Sequence, residues 1–199
     1  MTTPTQLGAG FADPVHDAQA AFRQALSALS RPGRRVAFGT TMPGLPLGAA
    51  MAHLLLTLTD DDTAVWWQKT DPAVVQWLRF HTGATPTATP DAAAFAVVLN
   101  PARMPPFDDF ASGSVESPER SASLLVEVPS FDGGPAAEWR GPGIREVETV
   151  RIDGLPPDFW AHWQASHAAF PAGIDIVFTC ADAAIGLPRT TRVRRLEGI

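Results

Sequence analysis

Apolar residues recur every three or four positions near the start of the chain: Phe11, Val15, Ala18, Phe22, Leu26 and Leu29. That spacing predicts a helix with one apolar face. Asp13-Pro14 opens it with an N-cap acid and a proline in the first turn, and Arg31-Pro32-Gly33 stops it. Arg35 to Phe38 reads as a short strand, Gly48 to Leu58 as a second helix and Ala64 to Trp67 as a strand. Asp71-Pro72 repeats the capping signal and starts a third helix, running to about Phe80 and apolar on most sides. Phe95 to Leu99 is a continuous apolar run, the pattern of a central strand covered on both faces. Proline-rich residues 100–120 read as a connection with one helical turn around Phe107 to Phe110. Strands are predicted at Leu124–Val128, Glu138–Arg140 and Glu146–Ile152, and a helix at Asp158–Ala168. A β-hairpin formed by Ile174–Cys180 and Ile185–Arg194 then turns at Asp182. Strands and helices alternate early and strands cluster late. The pattern predicts a single α/β domain over residues 11–199, preceded by a loose tail at residues 1–10. Its central sheet should be mixed, with helices on both faces and the late hairpin as the antiparallel part.

Composition adds limits. The 199 residues are 45% hydrophobic and 18% charged, a soluble balance with material for a sizeable core. The net charge of −6 argues against a general nucleic-acid binder. A lone cysteine, Cys180, cannot form an internal disulfide and reads as a small core residue of a reducing compartment. No apolar run is long enough for a membrane span, and MTTPTQLGAG lacks the pattern of a signal peptide. A cytoplasmic location is expected. Lys69 is the only lysine among 15 basic residues, and the arginines suit bidentate contacts to carboxylate or phosphate.

The familiar catalytic motifs are missing. There is no GxxxxGK[ST] loop, GPGI at Gly141 is not a GxGxxG fingerprint, and no GxSxG elbow occurs. His162 and His167 stand about 140° apart around a helix, so they cannot share a metal, and His167 is expected to hydrogen-bond within an aromatic patch. Asp60 to Asp62 lacks the other ligands of a calcium loop and reads as a solvated turn. No metal site is expected.

Two clusters remain. Arg79 and His81, at the end of the third helix, complement the helix dipole and are also suited to a phosphate or phosphonate. The second is LPRTTRV, Leu187 to Val193, in which a proline interrupts a strand and should mark a sheet edge. A hairpin turning at Asp182 brings Asp175 opposite Arg189 or Thr190. In the second register Arg192 reaches diagonally across, giving an expected ion pair between Asp175 and Arg192. The remaining side chains, among Arg189, Thr190, Arg192, Arg194 and Arg195, are left for an anion or another subunit.

Five segments in order, DPVHDAQAAFRQALSALSRPG, LLLTLTDDDTAVW, LRFHTGA, GPGI and FPAGIDIVFTCADAAIGLPRTT, resemble the PhnH family, whose members are components of the bacterial carbon–phosphorus lyase system. The likeness runs from Asp13 to Val193, with Ala172 where leucine is expected. It implies the fold of pyridoxal-phosphate-dependent transferases, shortened and without the cofactor. It further implies a homodimer that joins carbon–phosphorus lyase subunits G, I, J and K. With subunits G, I and L, such proteins take part in attaching an alkylphosphonate to C1′ of ATP, displacing adenine. A pyridoxal enzyme needs a Schiff-base lysine, and Lys69 lies in the polar stretch WWQKTDP, so no pyridoxal phosphate is expected. No carboxylate pair marks ribosyl-transfer machinery, and subunit I is, by the resemblance, the expected home of catalysis. The chain reads as a structural or co-catalytic subunit with no assignable catalytic residue. The alternative is a self-sufficient enzyme in which Arg79, His81, Arg189 and Thr190 converge on a phosphonate or nucleotide. A pyridoxal enzyme by fold analogy is a third reading.

Overall fold

Two prolines next to capping aspartates set the first and third helices. Asp13 accepts from the N–H groups of Val15 and His16 at 3.2 and 3.1 Å and starts α1, Pro14–Ser30. Asp71 accepts from Ala73 N–H at 2.9 Å and starts the later helix in the same way. In chain order the remaining elements are β1 (Val36–Ala37), α2 (Ala49–Leu58), β2 (Ala64–Trp67), α3 (Pro72–Thr82), β3 (Thr85–Thr87) and β4 (Phe95–Val98). They continue with β5 (Ser123–Glu127), β6 (Ala136–Arg140), β7 (Glu148–Arg151), α4 (Phe159–Ala168), β8 (Asp175–Cys180), β9 (Ala183–Leu187) and β10 (Arg192–Arg195). The computed structural model describes residues 8–196.

The chain is an α/β protein with a mixed sheet of order β1-β9-β8-β5-β4-β2-β3. The run from β8 to β3 is parallel, and β9 and β1 close the other side antiparallel. As the sequence predicted, the hairpin of β8 and β9 supplies antiparallel pairing. Parallel strands need cover on both faces, which explains the unbroken apolar run in β4 and the buried apolar centres of β5 and β8. Val65, Val97, Leu125, Val177 and Ala184 face α1, α2 and α3. Val98, Leu124, Val126, Ile176, Phe178 and Ile185 face a second core, built from Phe159, Trp160 and Trp163 of α4 with Ala137, Trp139, Val150 and Val193.

That second core departs from the sequence reading. Helix α4 covers the far face together with a separate three-stranded sheet, order β10-β6-β7. The predicted strand Ile185–Arg194 is really two strands in different sheets. Pro188 ends β9, the chain turns with Thr191 N–H donating to Pro188 carbonyl at 2.8 Å, and β10 then pairs with β6. Pro188 therefore marks a departure from the large sheet, and β10 is an edge strand of the small one. Strand β3, with Pro86 at the edge where a missing donor does no harm, is absent from the sequence prediction.

Helix α1 is turned away from its predicted face. Ala21, Ala25 and Ala28 are buried, whereas Val15, Phe22 and Leu26 are 63%, 47% and 52% exposed. Phe11 and Leu29, also on the predicted face, do pack partly against the first core. The reason lies in β9: a Cβ on Gly186 would stand 2.5 Å from the Ala28 carbonyl oxygen. Backbones this close admit only small side chains between them, so the alanine face wins over the bulkier one.

The predicted loose tail is corrected in part. Residues 1–7 lie outside the described residues, but Gly8 to Gly10 are fastened to α3. Trp77 Nε1 donates to the Ala9 carbonyl at 3.0 Å, and His81 Nε2 donates to the Gly8 carbonyl at 3.2 Å.

Candidate functional site

Arg189 is the hub of the crossing between the two sheets. Its backbone N–H donates to Asp175 Oδ1 at 2.7 Å, Nε lies 3.2 Å from both carboxylate oxygens, and Nη2 reaches Oδ2 at 2.5 Å. Nη1 donates to the carbonyls of Pro118 at 2.9 Å and Pro171 at 3.4 Å, and Nη2 also bonds the Ser121 hydroxyl. The arginine is 15% exposed and the aspartate 24%. Asp175 is therefore held by Arg189, and the expected Asp175–Arg192 pair does not form. Arg192 lies beyond the turn on β10, opposite Arg140 in the small sheet. The register of β8 and β9, with Ile176 opposite Leu187, already sets Arg192 well past the position facing Asp175, and the break after Leu187 carries it onto the small sheet.

Past Arg189 the chain borders a cleft of about 460 Å³ lined by Arg140, Gly141, Pro142, His167, Phe170, Thr190 and Arg192. Two of the sequence candidates, Thr190 and Arg192, meet here. Two further walls, Arg140 and His167, are not site candidates on sequence grounds. His167 Nδ1 donates to the Arg189 carbonyl at 2.8 Å, which fixes that tautomer because a carbonyl can only accept. Nε2 is left to the cleft side chains or solvent. Trp163 Nε1 donates to the Thr191 carbonyl at 2.9 Å, and Gln164 Nε2 donates to the Val193 carbonyl at 3.0 Å, so α4 holds the strand that carries Arg192.

Arg79 and His81 do not join them. Both are exposed at the end of α3, on the opposite side of the large sheet. Arg79 sits in the last turn of the helix, where a cation meets the dipole. His81 packs edge-on against Trp77 and Phe80. The convergence of Arg79, His81, Arg189 and Thr190 on one ligand is thereby excluded.

Elsewhere the chemistry is quiet. Burial and the nearby Glu127 charge push the Cys180 thiol up, away from thiolate character, and Sγ lies 3.4 Å from the Pro129 carbonyl. Lys69 is exposed beside a recess of about 170 Å³ lined also by Trp67, Asp71 and Leu99. Asp60 folds onto Thr63, whose hydroxyl donates to Oδ1 at 2.6 Å, making a turn. Among the described residues, no three His, Cys, Asp or Glu side chains are grouped to hold a metal.

Burial pushes the Glu127 carboxyl above the ordinary value of 4.5. Folded Glu127 thus keeps its proton to higher pH than the unfolded chain does. Folding takes up a proton between the two pKa values, so this residue's contribution to stability falls as pH rises through that window. Glu127→Gln is expected to be more stable than the parent above the window and equally stable below it. Urea denaturation at about pH 4 and about pH 8 checks both halves, and no gain at the higher pH refutes the assignment.

Residues 9–194 match the family of bacterial phosphonate metabolism proteins PhnH. The chain belongs to the PhnH family. One relative is the PhnH subunit of alpha-D-ribose 1-methylphosphonate 5-triphosphate synthase from Rhizobium meliloti (strain 1021). It is 42% identical over 199 residues, covering 98% of this chain and all of that one. Another, HtxG of Stutzerimonas stutzeri, described as a candidate C–P lyase subunit, is 30% identical over 175 residues, 88% of this chain and 85% of its own. The cleft, the Arg189 hub and nearly all of both sheets fall within the part matched to the PhnH family.

Proposed function

We propose that this chain is the PhnH component of a carbon–phosphorus lyase assembly, required with subunits G, I and L for transferring an alkylphosphonate to C1′ of ATP with release of adenine. The observation that carries the reading is the similarity, over 98% of this chain, to the PhnH subunit of an alpha-D-ribose 1-methylphosphonate 5-triphosphate synthase. Its role is structural or co-catalytic. Displacing adenine passes through an oxocarbenium-like centre that must be positioned and electrostatically supported. The described residues offer arginines for holding an anion, whereas burial pushes the Cys180 thiol up and their histidines pair with backbone carbonyls and the carboxylates of Asp13 and Asp158, not with a hydroxyl or thiol.

The mixed sheet with α1 to α3 on one face and α4 on the other supports a shortened relative of the pyridoxal-phosphate-dependent transferase fold. Exposed Lys69 gives no support to a Schiff-base role. We place the chain in a homodimer and in contact with subunits G, I, J and K; the uncovered Val15, Phe22 and Leu26 stripe is the sort of surface such contacts would use. No helix among the described residues is long and apolar enough to cross a membrane, which is compatible with a cytoplasmic assembly.

Adenine release from ATP plus methylphosphonate, measured with subunits G, I and L and with or without this chain, tests the proposal. Release should depend on adding the chain and be absent from the chain alone. Equal release without it would refute the requirement, and release by the chain alone would refute the subordinate role.

A further inference from the structure

The outer face of the small sheet carries a charge imbalance that its own residues do not resolve. Arg140 and Arg192 stand directly opposite each other on β6 and β10, as do Glu138 and Arg194. Like charges at opposed positions destabilise a sheet. The nearby carboxylate is Glu138, and it is engaged more closely by Arg194, at 2.6 Å, than by Arg140, at 3.9 Å. Arg140 and Arg194 thus share one carboxylate, and Arg192 makes no ion pair among the described residues, on a chain whose net charge is −6. The opposed pair also borders a cleft where a ligand-sized volume, Thr190 and His167 come together. Phe170, 56% exposed, and Pro142 supply an apolar wall beside the charges.

We infer that this cleft binds a phosphorus oxyanion, the phosphonate or phosphate group of a ligand whose remaining body lies against Phe170 and Pro142. Guanidinium forks match the geometry of such oxygens bidentately. Arg140 and Arg192 would straddle the anion and lose their mutual repulsion. The Thr190 hydroxyl can donate a further bond, and His167, with Nδ1 committed to the Arg189 carbonyl, has only Nε2 to offer. A volume of about 460 Å³ lies in the usual range of small-molecule sites. The inference rests on the proposed function for the identity of the two candidate ligands, methylphosphonate and ATP, and on the geometry for everything else.

Isothermal titration of the purified full chain with ATP, methylphosphonate and inorganic phosphate in parallel tests it. At least one should bind, and Arg192→Glu and Arg140→Ala should each weaken that binding roughly tenfold or more, the effect of losing one charge-assisted contact. Both positions are exposed, so an unchanged melting temperature confirms that the variants fold. Arg79→Ala, on the other face, should bind as the parent does. ATP binding without methylphosphonate binding assigns the cleft to the triphosphate; the reverse assigns it to the phosphonate; all three binding equally assigns it to the oxyanion alone. No binding by any of the three, or binding indifferent to both cleft variants, overturns the inference. The adenine-release assay is independent. A chain that is required there but binds nothing in its cleft leaves the proposed function standing without this inference. A chain that binds but is dispensable does the reverse.

Discussion

Asp175→Asn is expected to cost about 3–5 kcal/mol of folding stability, because it leaves the Arg189 guanidinium buried against a neutral partner. The charge cannot move to water easily: Arg189 is 15% exposed and tied to carbonyls of Pro118 and Pro171. In a chain of this length such a loss lowers the melting temperature by roughly 6–20 °C. Arg189→Met should cost a similar amount, now from the carboxylate side. The double variant should be less damaged than the sum, since it removes both charges together and leaves neither buried against a neutral partner. Urea denaturation of the three variants gives the cycle. A coupling near zero would mean that the pair is solvated and that the crossing is held by something else.

Trp163→Ala should be comparably severe, at about 3–5 kcal/mol, from the lost ring and the cavity left in the second core. The residue is 1% exposed, packs edge-on against Phe107 and donates to the Thr191 carbonyl. Trp163→Phe separates the two contributions. It keeps most of the apolar contact but leaves a buried carbonyl without its donor, a cost of about 1–3 kcal/mol. Hydrogen exchange should locate the damage, with β10 amides losing protection before those of β4 and β5. Uniform loss across both sheets in the phenylalanine variant would contradict the idea that Trp163 acts chiefly by holding the start of β10.

Local signals in the sequence lead to most of the elements and to the parallel core. Capping aspartates with following prolines place α1 and α3, and an unbroken apolar run marks β4, because both signals depend on neighbouring residues only. Pairing between distant segments is not legible. Nothing near Arg192 announces that its partner is Arg140, so the predicted strand runs on through Pro188 and the ion pair goes to the wrong arginine. Arg189 reaches Asp175 from the turn after Leu187, and the observed register, Ile176 opposite Leu187, is neither of the two that the sequence suggests. Helix α1 fails for a different reason: periodicity finds the most apolar face, but closeness to Gly186 selects the smallest. Thr190 and Arg192 stand out through their chemistry, whereas Arg140 and His167 need the small sheet and α4 to be assembled first. Arg79 and His81 group with them on residue type, which says nothing about which side of a sheet a helix covers.

The four residues between β9 and β10 have the outward form of a surface link, the place where a protease would be expected to nick a chain. Their backbone is instead spoken for at nearly every step: Pro188 accepts from Thr191, Arg189 donates to Asp175 and accepts from His167, and Thr191 accepts from Trp163. Cutting there would require opening α4, β8 and the small sheet at once. The two sheets of the parent chain are therefore expected to melt as one unit, and a fragment trimmed at this link is expected to lose the shape of both.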